Sequence, residues 1–339
     1  MVGGLGDEWA PCDTCPACHH CRVDRAGSGC QSEFMLPQGV SISGRDVLHP
    51  FHPELTRRLR DCGGLDIQIR TRAAQQPIPP LPPYIPRVQI RTGFEVRQCP
   101  AVAVPLDRVG IRHARPAGEI RRALKLGRET IVVVSSFQDD SVLERAWRHR
   151  RSLVQSLAIG SYDLVTVPSF SLWEGDSPLE HRYNIARSLR MFEMLVEAGV
   201  PTIPQVSWYS PQRDVDEWIT ELGRWRGLRA FSLDLQTLKN DDEWAWGLVR
   251  LRRLIRGIGQ DWEVLINGVA QKERIRHVKE ICGRVHVINE EPFQLAMCRH
   301  MTDRCTGHRR PSAKTPAQIF ADEVQRMADW ASPSFAGPF

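Results

Sequence analysis

TIVVVSS (130–136), DLVTVPSF (163–170), PTIPQVSW (201–208), AFSLDLQ (230–236), WEVLING (262–268) and RVHVINEE (284–291) repeat one pattern, a short apolar run, β-branched in all but AFSLDLQ, ending in polar residues. Five helical stretches separate them. Strands alternating with helices at this spacing predict parallel strands joined by crossover helices. In such sheets and barrels ligands bind at the carboxyl ends of the strands. Here those ends are Ser135 to Gln138, Gln205, Asp234, Asn267 and Asn289 to Glu291.

Working outward, GVSISG (39–44), GLDIQIR (64–70) and QCPAVAVP (98–105) read as further strands, and PAGEIRRALKLG (116–127) as a helix closed by Gly127. QQPIPPLPPYIP (75–86) reads as a stiff extended segment that lacks the amide donors of a central strand and wraps around the domain. The later helices carry clear signals. Ser177-Pro178-Leu179-Glu180 combines an N-cap, a first-turn proline and a capping-box Glu, with Gly199 placed as a left-handed cap. Asn240 with Glu243 repeats the box before Trp244, Leu248, Leu251 and Ile255, and Trp218 and Trp225 sit on the apolar face of the helix between, as core residues. Six strands plus two of the earlier ones predict an α/β chain with a (β/α)8 TIM-like barrel, and an open doubly wound sheet is the alternative. The expected divisions are a Cys-rich head (1–34), an Arg- and Pro-rich first part of the barrel (35–129), the main barrel (130–312), and a C-terminal helix with its tail (313–339).

No apolar run approaches the roughly 20 residues that span a bilayer, and no basic-then-apolar leader opens the chain, so a soluble cytoplasmic protein is expected. No G-x-G-x-x-G or P-loop follows any strand, which disfavours a dinucleotide or nucleoside-triphosphate enzyme. Residues 57–128 hold fourteen Arg and one Lys against five acids, a net of +10 in a chain of net +5. A basic zone beside a more acidic half suits phosphate-backbone binding, with Arg57, Arg58, Arg121 and Arg122 as candidates.

The head reads Cys12-x-x-Cys15-x-x-Cys18-His19-His20-Cys21, with Cys30 beyond. Thiolates at this density repel unless a cation holds them, so a metal is expected. Tetrahedral zinc is favoured. An iron–sulfur cluster with Cys99-Pro100 as remote ligand is the alternative. A second group, Cys298, His300, Cys305 and His308, follows the last strand and also suits zinc.

Among the rim residues, Asp234 is the carboxylate inside an apolar strand, costly to bury unless paired or working, and so a candidate nucleophile or base. Glu290 and Glu291 follow the last strand, where alternation leaves open which faces the site. Gln205 donates and accepts at once, as reading a base edge requires, and Phe137 offers a stacking face.

The order of these residues resembles the tRNA-guanine transglycosylase superfamily, including its phage branch that places 7-deazaguanines in DNA. Ser135-Ser136-Phe137-Gln138 stands where that family has D-S-G-G-F-Q, Gln205 where it has V-Q-G-G, and Asn267-Gly268-Val269 where it has G-V-G. Asn289-Glu290-Glu291 occupies the place of its nucleophilic Asp, and MCRHMTDRCTGH that of its zinc loop. Neither family Asp is present as such, so Glu290 or Asp234 takes the nucleophile's role. The resemblance implies exchange of guanine for a 7-deazaguanine base in DNA, with tRNA as the other possible polymer. Glu290, Glu291 or Asp234 would be catalytic, Ser135, Ser136, Phe137, Gln138, Gln205, Asn267 and Gly268 would hold the base, and zinc would be structural. Two other classes fit the residues: a metal-stabilised nucleic-acid-binding protein without catalysis, and another barrel hydrolase or lyase. Residues 170–208 are also similar to a family of uncharacterised barrel proteins of phages and mobile elements.

Overall fold

The computed structural model describes residues 34–35, 41–42, 53–90, 94–96, 99–111, 114–172, 178–209, 213–227, 229–238, 240–303 and 308–332. These fall into two compact units. One holds the described residues up to Gln68 together with Phe170–Arg190, and the other holds those of Ile69–Ser169 and Met191–Phe339.

In the smaller unit β1 (Phe34–Met35) pairs antiparallel with β2 (Ser41–Ile42). Arg58, on the helix Pro53–Cys62, is buried and ion-paired with Glu180. Arg58 also lies 4.7 Å from the Tyr183 ring, and Arg187 covers the Phe170 ring at 4.0 Å.

The larger unit carries the six expected strands. They are β5 (Ile131–Ser135), β6 (Leu164–Thr166), β7 (Thr202–Ile203) continued by β8 (Gln205–Val206), β9 (Ala230–Asp234), β10 (Glu263–Asn267) and β11 (Arg284–Asn289). The helices between them are Asp140–Arg148 and Arg150–Gly160, then Pro178–Glu197, Arg213–Arg224, Asp241–Ile258 and Lys272–Ile281. The first crossover is thus two helices broken at His149. Two earlier strands complete the set, β3 (Tyr84–Pro86) and β4 (Ala101–Pro105). All pair in parallel, in the orders β4-β5-β6-β7 and β3-β11-β10-β9-β8. Pro204 separates β7 from β8, and a parallel bridge joins Arg87, just past β3, to Ala103 of β4. Strands from both sheets meet in one apolar cluster of Ile85, Ala103, Val133, Leu164, Ile203, Ala230, Leu265 and Ile288, each at most 1 % exposed.

Three local expectations are corrected. The Pro-rich segment does enter a sheet: prolines lack donors but keep acceptors, so Val287 N–H donates to the Pro83 carbonyl (2.9 Å) and Arg87 N–H to the Asn289 carbonyl (2.8 Å). GLDIQIR is not a strand, because the Ile69 and Arg70 amides are taken by the side chains of Glu221 and Glu193 on helices. The helix Ala117–Leu124 ends on Lys125 in the left-handed region (φ 54°), two residues before Gly127. The capping box at Asn240 and Glu243 is present, and Gly199 follows the helix Pro178–Glu197 at φ 71°.

The C-terminal helix Pro316–Ala331 belongs to the larger unit, and Phe94 packs edge-on against both Phe293 and Phe320. Cys12, Cys15, Cys18, Cys21, Cys30 and Cys305 lie outside the described residues. No described helix is long and apolar enough to cross a membrane.

Candidate active site at the carboxyl ends of the strands

Side chains alternate faces along a strand, so the residues two steps beyond the apolar cluster share its face at the carboxyl ends. They are Arg87, Ser135, Thr166, Gln205, Ser232 and Asn267, with Asp234 two residues past Ser232. Register sets them side by side: Gln205 is the Cα partner of Ser232, and Asp234 that of Asn267. Ser232 donates its hydroxyl to Gln205 Oε1 at 2.7 Å. Three members carry buried polar atoms without satisfaction, Arg87 Nε being one. Ser135 Oγ and Asn267 Oδ1 have no hydrogen-bond partner, at 0 % and 3 % exposure. Buried polar atoms are nearly always paired, so these orphans at the strand ends are open to a partner from outside the protein, water or ligand.

Asp234 is the electrostatic centre of this rim. Burial pushes its carboxyl up to about 7, against a hydrogen bond from the Gln236 amide (2.9 Å) that favours the charged form. A carboxyl balanced near neutrality is suited to giving and taking a proton.

The two glutamates have different partners. Glu290 accepts from Gln89 Nε2 at 2.9 Å and is the leading charge acting on the Arg87 guanidinium. Glu291 begins the helix Glu291–Met297 and pairs with Arg309 (3.2 Å) and Arg326 (3.3 Å), Arg326 being held in turn by Glu323. Glu291 is therefore tied to the C-terminal helix through Arg326. Asn289 also faces that way, accepting from the Tyr84 hydroxyl (2.9 Å) and donating to the Val269 carbonyl (2.8 Å).

The remaining rim candidates have mixed roles. Ser136 is buried, and its amide donates to Thr166 Oγ1 (2.9 Å). Gln138 is half-buried and reaches the Ser135 carbonyl at 3.4 Å, and Phe137 beside it is half-buried. Gly268 has a structural reason for its identity: its φ is 85°, and an added Cβ would stand 2.3 Å from Gln236 Cβ.

The four nucleic-acid candidates separate. Arg58 is internal, as described above, which removes it from any backbone-binding surface. Arg121 binds Asp163 (2.6 Å) and is half-buried, while Arg57 and Arg122 are exposed. Arg57 and Arg58 belong to one unit, Arg121 and Arg122 to the other.

Of the second metal group, Cys298 is an exposed free thiol, and His300 Nδ1 lies 2.7 Å from the Cys298 carbonyl. His308 is exposed. Among the described residues no three His, Cys, Asp or Glu side chains gather as a metal site. Burial pushes the Cys99 thiol up to about 11, which favours the neutral form over a ligand thiolate.

Sequence reasoning missed Arg87 and Gln89. The signal was YIPRVQIR (84–91), whose Ile85, Arg87 and Gln89 alternate, but the prolines before it and the Arg-rich surroundings hid the pattern.

Comparison with known proteins adds one family and three distant structures. A domain family of unknown function, DUF4417, matches residues 118–219. No curated protein matches the chain. Among solved structures, one described as native KDPGal aligns at 16% identity over 75% of this chain and 98% of its own, with a TM-score of 0.37. A designed cube-shaped porous protein cage aligns at 16% identity over 74% of each chain, with a TM-score of 0.36. A protein assigned as a fructose-1,6-biphosphate aldolase from Coccidioides immitis aligns at 11% identity over 73% of this chain and 86% of its own, with a TM-score of 0.38. Likeness at these scores says nothing about activity.

Proposed function

We propose that this chain is a barrel enzyme that exchanges guanine for a 7-deazaguanine base in DNA, with Asp234 as the proton carrier and Glu290 as the nucleophile. The observation that carries this reading is the carboxyl of Asp234, poised near neutrality beside the partnerless Asn267 amide oxygen. A closed eight-stranded barrel is part of the proposal. It is supported by the Arg87–Ala103 bridge, by the single proline between β7 and β8, and by one apolar cluster fed from both sheets.

In the first half-reaction a Glu290 oxygen attacks C1′ of the deoxyguanosine, and the bond from C1′ to the purine nitrogen breaks. Asp234 gives its proton to the departing guanine. In the second half, ionised Asp234 takes a proton from the incoming deazaguanine. That base then attacks C1′ and releases Glu290. Gln205 and Asn267 offer donors and acceptors to the base edge, and Phe137 a stacking face. Flipping the target base costs a few kcal/mol, which phosphate contacts at exposed residues such as Arg57 and Arg122 would offset. The head cysteines would hold zinc in a structural part, and no step passes through it.

The test is incorporation of labelled guanine or 7-deazaguanine into guanine-containing DNA, with tRNA as the parallel polymer. Labelling that depends on Glu290 supports the reading. No labelling of either polymer with any deazaguanine overturns it and leaves nucleic-acid binding without catalysis.

A further inference from the structure

We infer that the rim carries an oxyanion subsite in which the Arg87 guanidinium and the Ser135 hydroxyl take a carboxylate or phosphate group of the ligand. The subsite rests on the reading of this rim as a ligand site, but not on base exchange as its chemistry. Arg87 stands just past β3 on the face that carries the apolar cluster, and its Nε is buried without a hydrogen-bond partner. No described residue forms an ion pair with it. Burial acts on it strongly enough to push the guanidinium below its ordinary range, although an arginine keeps its charge.

A part-buried cation without an ion pair is costly to hold, and a counter-ion arriving from outside relieves that cost. The nearby carboxylates do not fill that role. Glu290 is engaged by Gln89, Asp107 pairs with Arg108 at 3.4 Å, and Asp139 is exposed just before the helix Asp140–Arg148. All three act on Arg87 from beyond contact range.

The strand between relates the two groups. Arg87 is registered on Ala103 of β4, and Pro105, two residues on, is registered on Ser135 of β5. By alternation the long arginine and the buried, orphaned Ser135 hydroxyl lie on one face, one strand apart. An anion placed there pairs with the guanidinium at contact distance, where attraction outweighs repulsion from more distant, water-screened carboxylates.

The test is titration calorimetry and thermal unfolding of the full chain with inorganic phosphate and with acetate, at constant ionic strength against chloride. At least one anion is expected to bind saturably and raise the unfolding midpoint. Preference for phosphate assigns a nucleotide-like group, and preference for acetate a carboxylate-bearing ligand. Arg87→Gln should weaken that binding about tenfold or more, and Ser135→Ala about threefold, while exposed Arg252→Gln leaves it intact. Without anion, Arg87→Gln should unfold at the wild-type temperature or above, since it removes an uncompensated charge. Equal anion affinity in Arg87→Gln, equal loss in Arg252→Gln, or binding of neither anion overturns the subsite. A wild type that binds anion but exchanges no base would sink the proposed reaction and leave the subsite standing.

Discussion

Asp234 and Asn267 are Cα partners on adjacent parallel strands, so a carboxyl held near neutrality stands beside an amide whose oxygen has no partner. The pair gives the rim a group that changes charge at working pH and a neighbour that adapts to either state of a ligand.

That carboxyl ties stability to pH. Its folded value, about 7, lies above the ordinary carboxylate value, so the stability linked to its protonated form is complete below pH 4 and is lost as pH rises to 7. Asp234→Asn cannot titrate. The difference in unfolding free energy between wild type and this variant should shift by about 2–4 kcal/mol between pH 4.5 and 8, with the wild type losing ground. Urea unfolding across that range measures it, and a flat difference contradicts the assignment.

The same group shapes the rate. Guanine release uses protonated Asp234, so single-turnover release should fall about tenfold per pH unit above 7. Asp234→Asn should abolish that limb, and Glu290→Gln should slow release by several orders of magnitude, ~4 kcal/mol or more of transition-state stabilisation. Release by Glu290→Gln at the wild-type rate would remove Glu290 from the chemistry.

Glu291 should behave differently from its neighbour. Glu291→Gln weakens the attachment of the C-terminal helix through Arg326 and Arg309, at a cost of about 1–3 kcal/mol in chemical denaturation. Turnover per folded molecule should stay near wild type. A loss matching that of Glu290→Gln would return Glu291 to the site.

The arginines divide by burial. Arg58→Ala leaves Glu180 buried without this cation and should cost about 3–5 kcal/mol of stability in the full chain. Arg57→Ala with Arg122→Ala should leave the unfolding midpoint unchanged and flatten the salt dependence of duplex DNA binding, each lost phosphate contact removing about 0.9 from the log–log slope. An unchanged slope makes these side chains ordinary surface.

Purified protein should carry stoichiometric zinc, or iron with a brown colour, by elemental analysis. Cys12→Ser with Cys15→Ser should release it. Folded wild-type protein free of any metal rejects the head as a metal site.

The later strands were legible because most are β-branched apolar runs, as Val132, Val133 and Val134, all buried, show. The strand Tyr84–Pro86 was not, because its prolines advertise a missing donor, whereas its place in the sheet depends mainly on acceptors. Asp234 was visible as a lone charge in an apolar run. Assigning Glu290 rather than Glu291 required partners more than 30 residues away, Gln89 for one and Arg326 for the other, which no local pattern encodes. The reason for Gly268, a positive φ against Gln236, is purely conformational and no local pattern displays it.

The Tyr84 hydroxyl meets Asn289 across 205 residues of sequence, and this distance governs how the chain is made. At about 5–20 residues per second of synthesis, Tyr84–Pro86 leaves the ribosome some tens of seconds before β11 exists. An ordinary β-branched strand left bare for so long would template pairing with neighbouring nascent chains. Pro82, Pro83 and Pro86 deny such partners a full ladder while keeping the acceptor that Val287 later finds. The proline run thus makes this segment a poor template for foreign strands until β11 supplies its amide.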